Sequence, residues 1–458
     1  MRIFHYSHDT YGLGHIRRTL AIAEQLALDF PQASQLVVSG TPQPSCFNLP
    51  SRLDFIKLPD IDKPFQKKFH APSLLLQADA LKSLRENMIL DAMRFFKPDL
   101  VLVDKAPAGV RGELLPSLRY LQNERPETKL VLGMCDIEDN AMIARENDRT
   151  EIPLENPVDA VNVKDTIRGQ WRDQGIHALL ENHYNLILHY GNREIYDPVS
   201  EYRLSGKIER KMISCGHIGR SSPTLPKEQL RRSLNLKTDR LVVVTAGGGE
   251  DGFELLNFYL KTLSHTLGTK SSTRSQDPNN PPFDSIVIPG PLMSMTKRRQ
   301  LQAYRSMGLP FTLLDSTNNM FSYLNAADLV ISKGGYNSIC EILSLNKRAI
   351  IVPHTKPRVE QLIRAGRLAV RGLVEMIHPQ KLTASTLLKK IQEGLEPRER
   401  VSPEETGLNM NGALNASQAI ERLLGTNAAF GFKNPKRPFP ARKGFTQRVY
   451  AETVPAFS

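Results

Sequence analysis

Several short stretches of this chain carry side chains able to do chemistry, and each follows an apolar run. "HDTYGLGHIRR" (His8 to Arg18) comes after "RIFHYS". Gly12 and Gly14 predict a turn, and a helix is expected to begin near His15. A helix N-terminus disfavours positive charge, so His15 is expected to stay neutral and able to accept a proton. The same residues also fit a half-exposed histidine beside a tight turn. Asp104 ends "PDLVLVD". A carboxylate there can orient a histidine as a base–orienter pair, or simply serve as a cap.

Three further stretches are built for binding. "TAGGGEDG" (Thr245 to Gly252) sets Gly247, Gly248 and Gly249 between a strand and a helix. Bare amides followed by a helix N-terminus suit a phosphate, although no P-loop Gly-Lys-Ser/Thr is present; a flexible turn is the alternative. "SKGGYNSICE" (Ser332 to Glu341) leaves a strand through Gly334 and Gly335, which lets backbone approach a ligand. In the helix that follows, Ile339, Ile342 and Leu343 share one face, and Asn337, Ser338 and Glu341 another. One carboxylate there can accept from both hydroxyls of a ribose, or else it faces solvent. "VPHTKPRVEQ" ends with Glu360 and Gln361 in the first turn of a helix, placed for sugar hydroxyls or for the helix dipole.

These stretches need a scaffold that gathers strand ends. Apolar runs such as "QLVVSG", "DFIKLP", "KLVLGMCD" and "NLILHYG" alternate with helical segments such as "DALKSLRENMILDAMRFF". Near-continuously apolar strands separated by helices imply a parallel sheet covered on both faces. After "EYRLSGKIERKMISCGHIGRSSPTLP" the pattern restarts with "RLVVVTAGGG". The expectation is two Rossmann-like doubly wound α/β domains, 1–205 and 206–425, facing across a cleft, then a poorly ordered tail, 426–458. "GTKSSTRSQDPNNPP" reads as a surface loop.

Composition narrows the classes. At 458 residues and 40% apolar, the chain can form two cores. Its four cysteines (Cys46, Cys135, Cys215, Cys340) are scattered, which argues against a disulfide framework or a zinc site and fits a reducing cytosol. No signal peptide or membrane-spanning stretch is evident, so a cytoplasmic protein is expected. The net charge is +12, and six of those charges lie in Lys433 to Arg448. That segment fits a solvated tail, or an anchor on an anionic membrane surface at the inner face. Nucleic acid is disfavoured, because no recognition fold appears.

Taken in order, the motifs resemble a known family. "YGLGHIRRTLAIAEQL" resembles the N-terminal loop of nucleotide-sugar glycosyltransferases with the GT-B fold. "SKGGYNSICEILSLNKRAIIVPHTKPRVEQ" is similar to the donor segment of family 28. "VLVDKAPAGVRGEL" and "LVLGMCDIED" are similar to a group of predicted bacterial transferases. The resemblance implies transfer of a hexosyl group from a nucleoside diphosphate sugar, a UDP-sugar first, to a hydroxyl acceptor that can be lipid-linked. It implies an inverting mechanism by single displacement. No carboxylate pair with metal spacing is evident, so neither a metal nor a cofactor is expected. His15 then matches the candidate base, Glu341 the ribose ligand, and Glu360 and Gln361 the sugar-reading pair. Gly12 and Gly14 match the first loop, Gly247 to Gly249 the diphosphate loop, and Arg220 in "GHIGR" a phosphate-contacting arginine. Leu314, Asp315 and Met320 lie in the segment that holds uracil. Gly334, Gly335, Asn337 and Ser338 complete the donor set. Glu250 and Asp251 depart from the family pattern, and acids beside a diphosphate must point away. A nucleotide-sugar epimerase or hydrolase, or an inactive nucleotide-binding protein, are the alternatives on the same scaffold.

Overall fold

The computed structural model describes residues 1–8, 13–41, 49–61, 74–138, 171, 175–220, 224–249, 251–268, 283–307, 311–314, 317, 319–355 and 359–425. Gly12, Cys46, Glu250, Asp315, the loop 269–282 and the tail 426–458 lie outside the described residues.

Two open sheets form, each wholly parallel. The first contains β1 (Arg2–Ser7), β2 (Ser34–Ser39), β3 (Leu53–Lys57), β4 (Leu100–Asp104), β5 (Lys129–Cys135), β6 (Leu186–Tyr190) and β7 (Met212–Ser214). Their order is β3-β2-β1-β4-β5-β6-β7. The second contains β8 (Leu241–Thr245), β9 (Asp284–Ile288), β10 (Thr312–Leu313), β11 (Leu329–Ser332), β12 (Arg348–Ile351) and β13 (Glu375–Met376), ordered β10-β9-β8-β11-β12-β13. These are two doubly wound α/β halves. The central strands β4, β8 and β11 are buried along their whole length, as helices on both faces require.

Each sheet reverses its winding once. After β3 the chain crosses to the far side of β1 and lays down β4; after β10 it crosses β8 and lays down β11. Ligands of open α/β sheets bind at such switch points, outside the carboxyl ends of the strands. The residues after β1, β4, β8 and β11 are those singled out by their chemistry above.

Four helices matter for the site: α1 (Gly14–Asp29), α2 (Tyr336–Ser344), α3 (Glu360–Val370) and α4 (Gly412–Leu424). In α1, Ile16, Leu20, Ala23 and Leu26 recur at three- and four-residue intervals and are buried. The expected domain limit at 205/206 needs correction. β7 still pairs with β6. The last helix, α4, returns to the first half, where Ala416 and Ile420 join Ile22 and Leu26 in one apolar cluster. Short strands such as β7 and β13 lack the length for a sequence signal; pairing to a neighbour makes them strands.

Candidate functional site

The first half-site is a tight polar cluster where β1 and β4 end. Nδ1 of His15 lies 2.8 Å from Oδ2 of Asp104. Arg18, one turn along α1, donates from Nε to Oδ1 at 2.8 Å and from Nη2 to Oδ2 at 2.9 Å. Nη2 also lies 2.8 Å from Nδ1 of His15. With the proton on Nδ1 the ring donates to Asp104, and Nε2 keeps its lone pair. His8 stands edge-on, with ring centroids 5.5 Å apart.

Burial sets the charge states. It lowers the His15 pKa to about 4, more than Asp104 raises it. The imidazole is therefore neutral, as expected, but desolvation is the leading cause where the helix dipole had been anticipated. Burial alone would raise Asp104; the Arg18 guanidinium and then His15 hold it down at about 2. His15 keeps 22% of its side chain exposed, so it can meet a substrate.

The second half-site is a narrow cleft where β8 and β11 end. It is lined by Thr245, Gly247, Gly290, Thr317, Met320, Ser338 and Glu341, with Arg17 from α1. Glu341 is only 5% exposed, so it is not a solvent-facing residue. Nη1 of Arg220 stands 3.4 Å from its Oε1. The Arg220 amide donates to Ser344 Oγ at 3.0 Å, which seats the arginine on α2.

The glycines divide by task. Gly247 and Gly248 are accessible, whereas Gly249 is buried behind them. A Cβ on Gly249 would lie 2.2 Å from the Pro289 carbonyl, so this glycine serves the packing of two loops. The expectation of three bare amides is likewise corrected: Gly247 N–H donates to Thr245 Oγ1 and Gly249 N–H to the Ala246 carbonyl. Gly334 has φ +84°, and a Cβ there would meet Ile351 at 2.6 Å. Gly335, which caps α2, has nothing within 4 Å of that position.

Other expected ligands already hold protein partners. Asn337 Nδ2 donates to the Gly14 carbonyl at 2.9 Å, joining the two halves. The Leu314 N–H donates to the Val287 carbonyl. Oε1 of Gln361 accepts from the His354 N–H at 3.2 Å, so it props the loop after β12. Glu360 opens α3, half-buried. Asp251 is turned to Lys333 Nζ at 3.3 Å and His354 Nε2 at 2.7 Å, which neutralises it.

Arg17 and Arg18 escaped the sequence reading. Their signal was present: two adjacent cations within the first five residues of a helix oppose the dipole and need a reason to be there. Asp136 and Arg364 also escaped; they form a buried ion pair between the two sheets. Among the described residues, no group of three or more His, Cys, Asp or Glu is placed to hold a metal ion.

Comparison with known proteins now bears on this geometry. Residues 242–422 match the glycosyltransferase family 28 C-terminal domain. The UDP-N-acetylglucosamine–N-acetylmuramyl-(pentapeptide) pyrophosphoryl-undecaprenol N-acetylglucosamine transferase of Thermodesulfovibrio yellowstonii is 23% identical over 394 residues, 84% of this chain and 88% of that one. The solved calicheamicin glycosyltransferase CalG4 superposes with a TM-score of 0.53 at 15% identity, over 93% of this chain and 98% of its own. This chain has the GT-B fold, and residues 242–422 are similar to the family 28 C-terminal domain.

The matches are uneven along the chain. The enzyme of the same name from Shouchella clausii is 33% identical, but over 103 residues, 22% of this chain and 27% of the relative. The UDP-GlcNAc 2-epimerase of Methanocaldococcus jannaschii superposes with a TM-score of 0.54 at 11% identity, over 92% of this chain and all of its own. At such identities the likeness is one of fold.

Proposed function

We propose that this protein transfers a hexosyl group from a nucleoside diphosphate sugar, a UDP-sugar first, to a hydroxyl acceptor with inversion at the anomeric carbon. The observation that carries this is the meeting of two switch points: a neutral histidine paired to Asp104 at 2.8 Å and a glycine-walled cleft closed by Glu341 and Arg17. In this mechanism the acceptor oxygen bonds to C1 of the sugar as its proton passes to Nε2 of His15. The bond from C1 to the diphosphate oxygen breaks, and the nucleoside diphosphate leaves. Asp104 stabilises the imidazolium that forms. Arg17, Arg220 and the N-terminus of α2 offset the charge that develops on the leaving group. Before a donor arrives, Arg220 occupies Glu341; on binding, the arginine turns to phosphate and the carboxylate to the ribose diol. The acceptor side is thus built from residues up to β7, and the donor side from β8 to α3 with Arg17 of α1 and Arg220 of the linker added.

The test is calorimetric titration of UDP into the wild type and Glu341→Ala, with GDP and TDP as controls. Loss of a charge-assisted contact should cost about 1.5–3 kcal/mol, roughly a 10- to 150-fold rise in Kd. Absence of any nucleotide binding would overturn the proposal. A second reading rests on the fold shared with UDP-GlcNAc 2-epimerases. Free or epimerised sugar formed from UDP-sugar without an acceptor would favour it; UDP binding with no turnover would mark an inactive binder.

The acceptor side adds a membrane proposal. No helix among the described residues is long and apolar enough to cross a bilayer. The six cations of Lys433 to Arg448 fit an anionic surface on which a lipid-linked acceptor could sit. Deleting 426–458 should then weaken binding to anionic liposomes, and unchanged binding would refute the role.

A further inference from the structure

The two half-sites are joined by an ion pair to which neither half needs to owe its chemistry. Asp136 follows β5 of the first sheet, and Arg364 lies on α3 against the second. They are 3% and 1% exposed. Arg364 donates from Nε to Oδ2 at 2.6 Å and from Nη2 to Oδ1 at 2.8 Å. Its Nη1 donates to the Gly334 carbonyl at 3.1 Å, so the fork grips the turn that opens the donor cleft. On the other side, Cys135 Sγ lies 3.2 Å from Asp136 Oδ1 and 3.3 Å from Arg18 Nη1. Arg18 holds Asp104, and Asp104 holds His15.

Tyr336 braces the same line. Its ring meets both guanidiniums, 5.5 Å from Arg18 and 5.8 Å from Arg364. Its hydroxyl accepts from the Ile218 N–H and donates to the Tyr190 carbonyl. His217 stacks on it at 5.9 Å. An unbroken series of polar contacts thus runs from the candidate base to the donor turn.

A buried ion pair is a poor source of stability, because desolvation offsets most of its attraction. What a bidentate fork supplies is direction. We propose that Asp136 and Arg364 are positioning residues that set the donor turn at Gly334 and the His15–Asp104 pair in one register. This rests on the functional proposal above, since it assumes that donor and acceptor sites act together.

The test compares wild type, the volume-conserving double variant Asp136→Leu/Arg364→Met, and Arg364→Lys. Lysine keeps the charge but cannot hold both Asp136 oxygens and Gly334 at once. Denaturant unfolding reports stability, calorimetry reports UDP affinity, and side-chain NMR follows the His15 ring, assigned by its absence in His15→Asn. In the wild type, UDP should shift the His15 resonance. Arg364→Lys and the double variant should bind UDP at least tenfold more weakly and lose that shift, with the double variant close to wild type in stability. A folded double variant with wild-type affinity and a wild-type His15 response would overturn the proposal. If the double variant does not fold, a wild-type response in Arg364→Lys overturns it equally. A wild type that binds UDP without moving His15 leaves the functional reading standing and removes this one. A wild type that binds no nucleotide removes the functional reading first.

Discussion

The two switch points solve opposite problems with the same backbone device. At β1/β4 the polar atoms are already in register: His15, Arg18 and Asp104 meet at 2.8–2.9 Å, and the carboxylate is almost wholly buried. At β8/β11 the contacts are looser. Arg220 reaches Glu341 at 3.4 Å, and Gly335 faces open space. A group that must move a proton gains from alignment fixed in advance, because reorganisation then adds nothing to the barrier. A group that must admit a nucleotide gains from partners it can exchange. Under the proposed function, chemistry falls to the saturated half and recognition to the half whose partners can be exchanged.

The largest effect should come from breaking the first half. His15→Ala is expected to lower turnover by roughly 10²–10⁴ while UDP affinity stays near wild type, since general base catalysis is worth about that much. Separate steady-state and binding measurements decide it; a variant that keeps its rate would remove His15 from the mechanism. The pH dependence sharpens the same point. His15 must be neutral to accept a proton, and burial lowers its pKa to about 4. Activity governed by His15 should therefore persist as pH falls through 6.5 and be lost only near 4. An acid limb at 6.5 in kcat/KM would show a histidine in ordinary solvation. The recognition half should respond in the opposite pattern. Glu341→Ala changes binding by one to two orders of magnitude and leaves the acid limb where it was. Should both variants move both quantities, the division between the halves would not hold.

How much of this was legible depends on the range of each interaction. Strands such as "LVLVD" and "LVVVT" announce themselves because a strand covered on both faces must be apolar throughout. His15 and Asp104 could be paired as candidates because parallel strands gather their carboxyl ends at one edge of the sheet. Gly249 was legible as a loop glycine, but its need is the close approach of Pro289, forty residues away along the chain. Gln361 was expected at the sugar from its place in a first turn; that its Oε1 also accepts from the backbone N–H of His354 could not be read from the sequence. Asp136 and Arg364 stand 228 residues apart. Nothing local marks either, since an arginine on a helix and an aspartate after a strand are ordinary residues until a second sheet closes over them.

The smallest effect gives the finest test, because it separates two adjacent glycines. Gly334 sits at φ +84° with Ile351 at 2.6 Å from a would-be Cβ, so Gly334→Ala meets both strain and a clash. It should lose about 1–2 kcal/mol of stability from the left-handed backbone alone, and more from the contact. Gly335 has φ −59° and no neighbour within 4 Å. Gly335→Ala should therefore lie within about 0.5 kcal/mol of wild type on unfolding. If the cap of α2 is where a diphosphate approaches, that methyl group will be felt only when UDP binds, as an affinity loss without a stability loss. An alanine at 335 that binds UDP as well as glycine does would mean the ligand keeps its distance from this helix terminus, and the recognition half would then rest on Glu341, Arg17 and Arg220 alone.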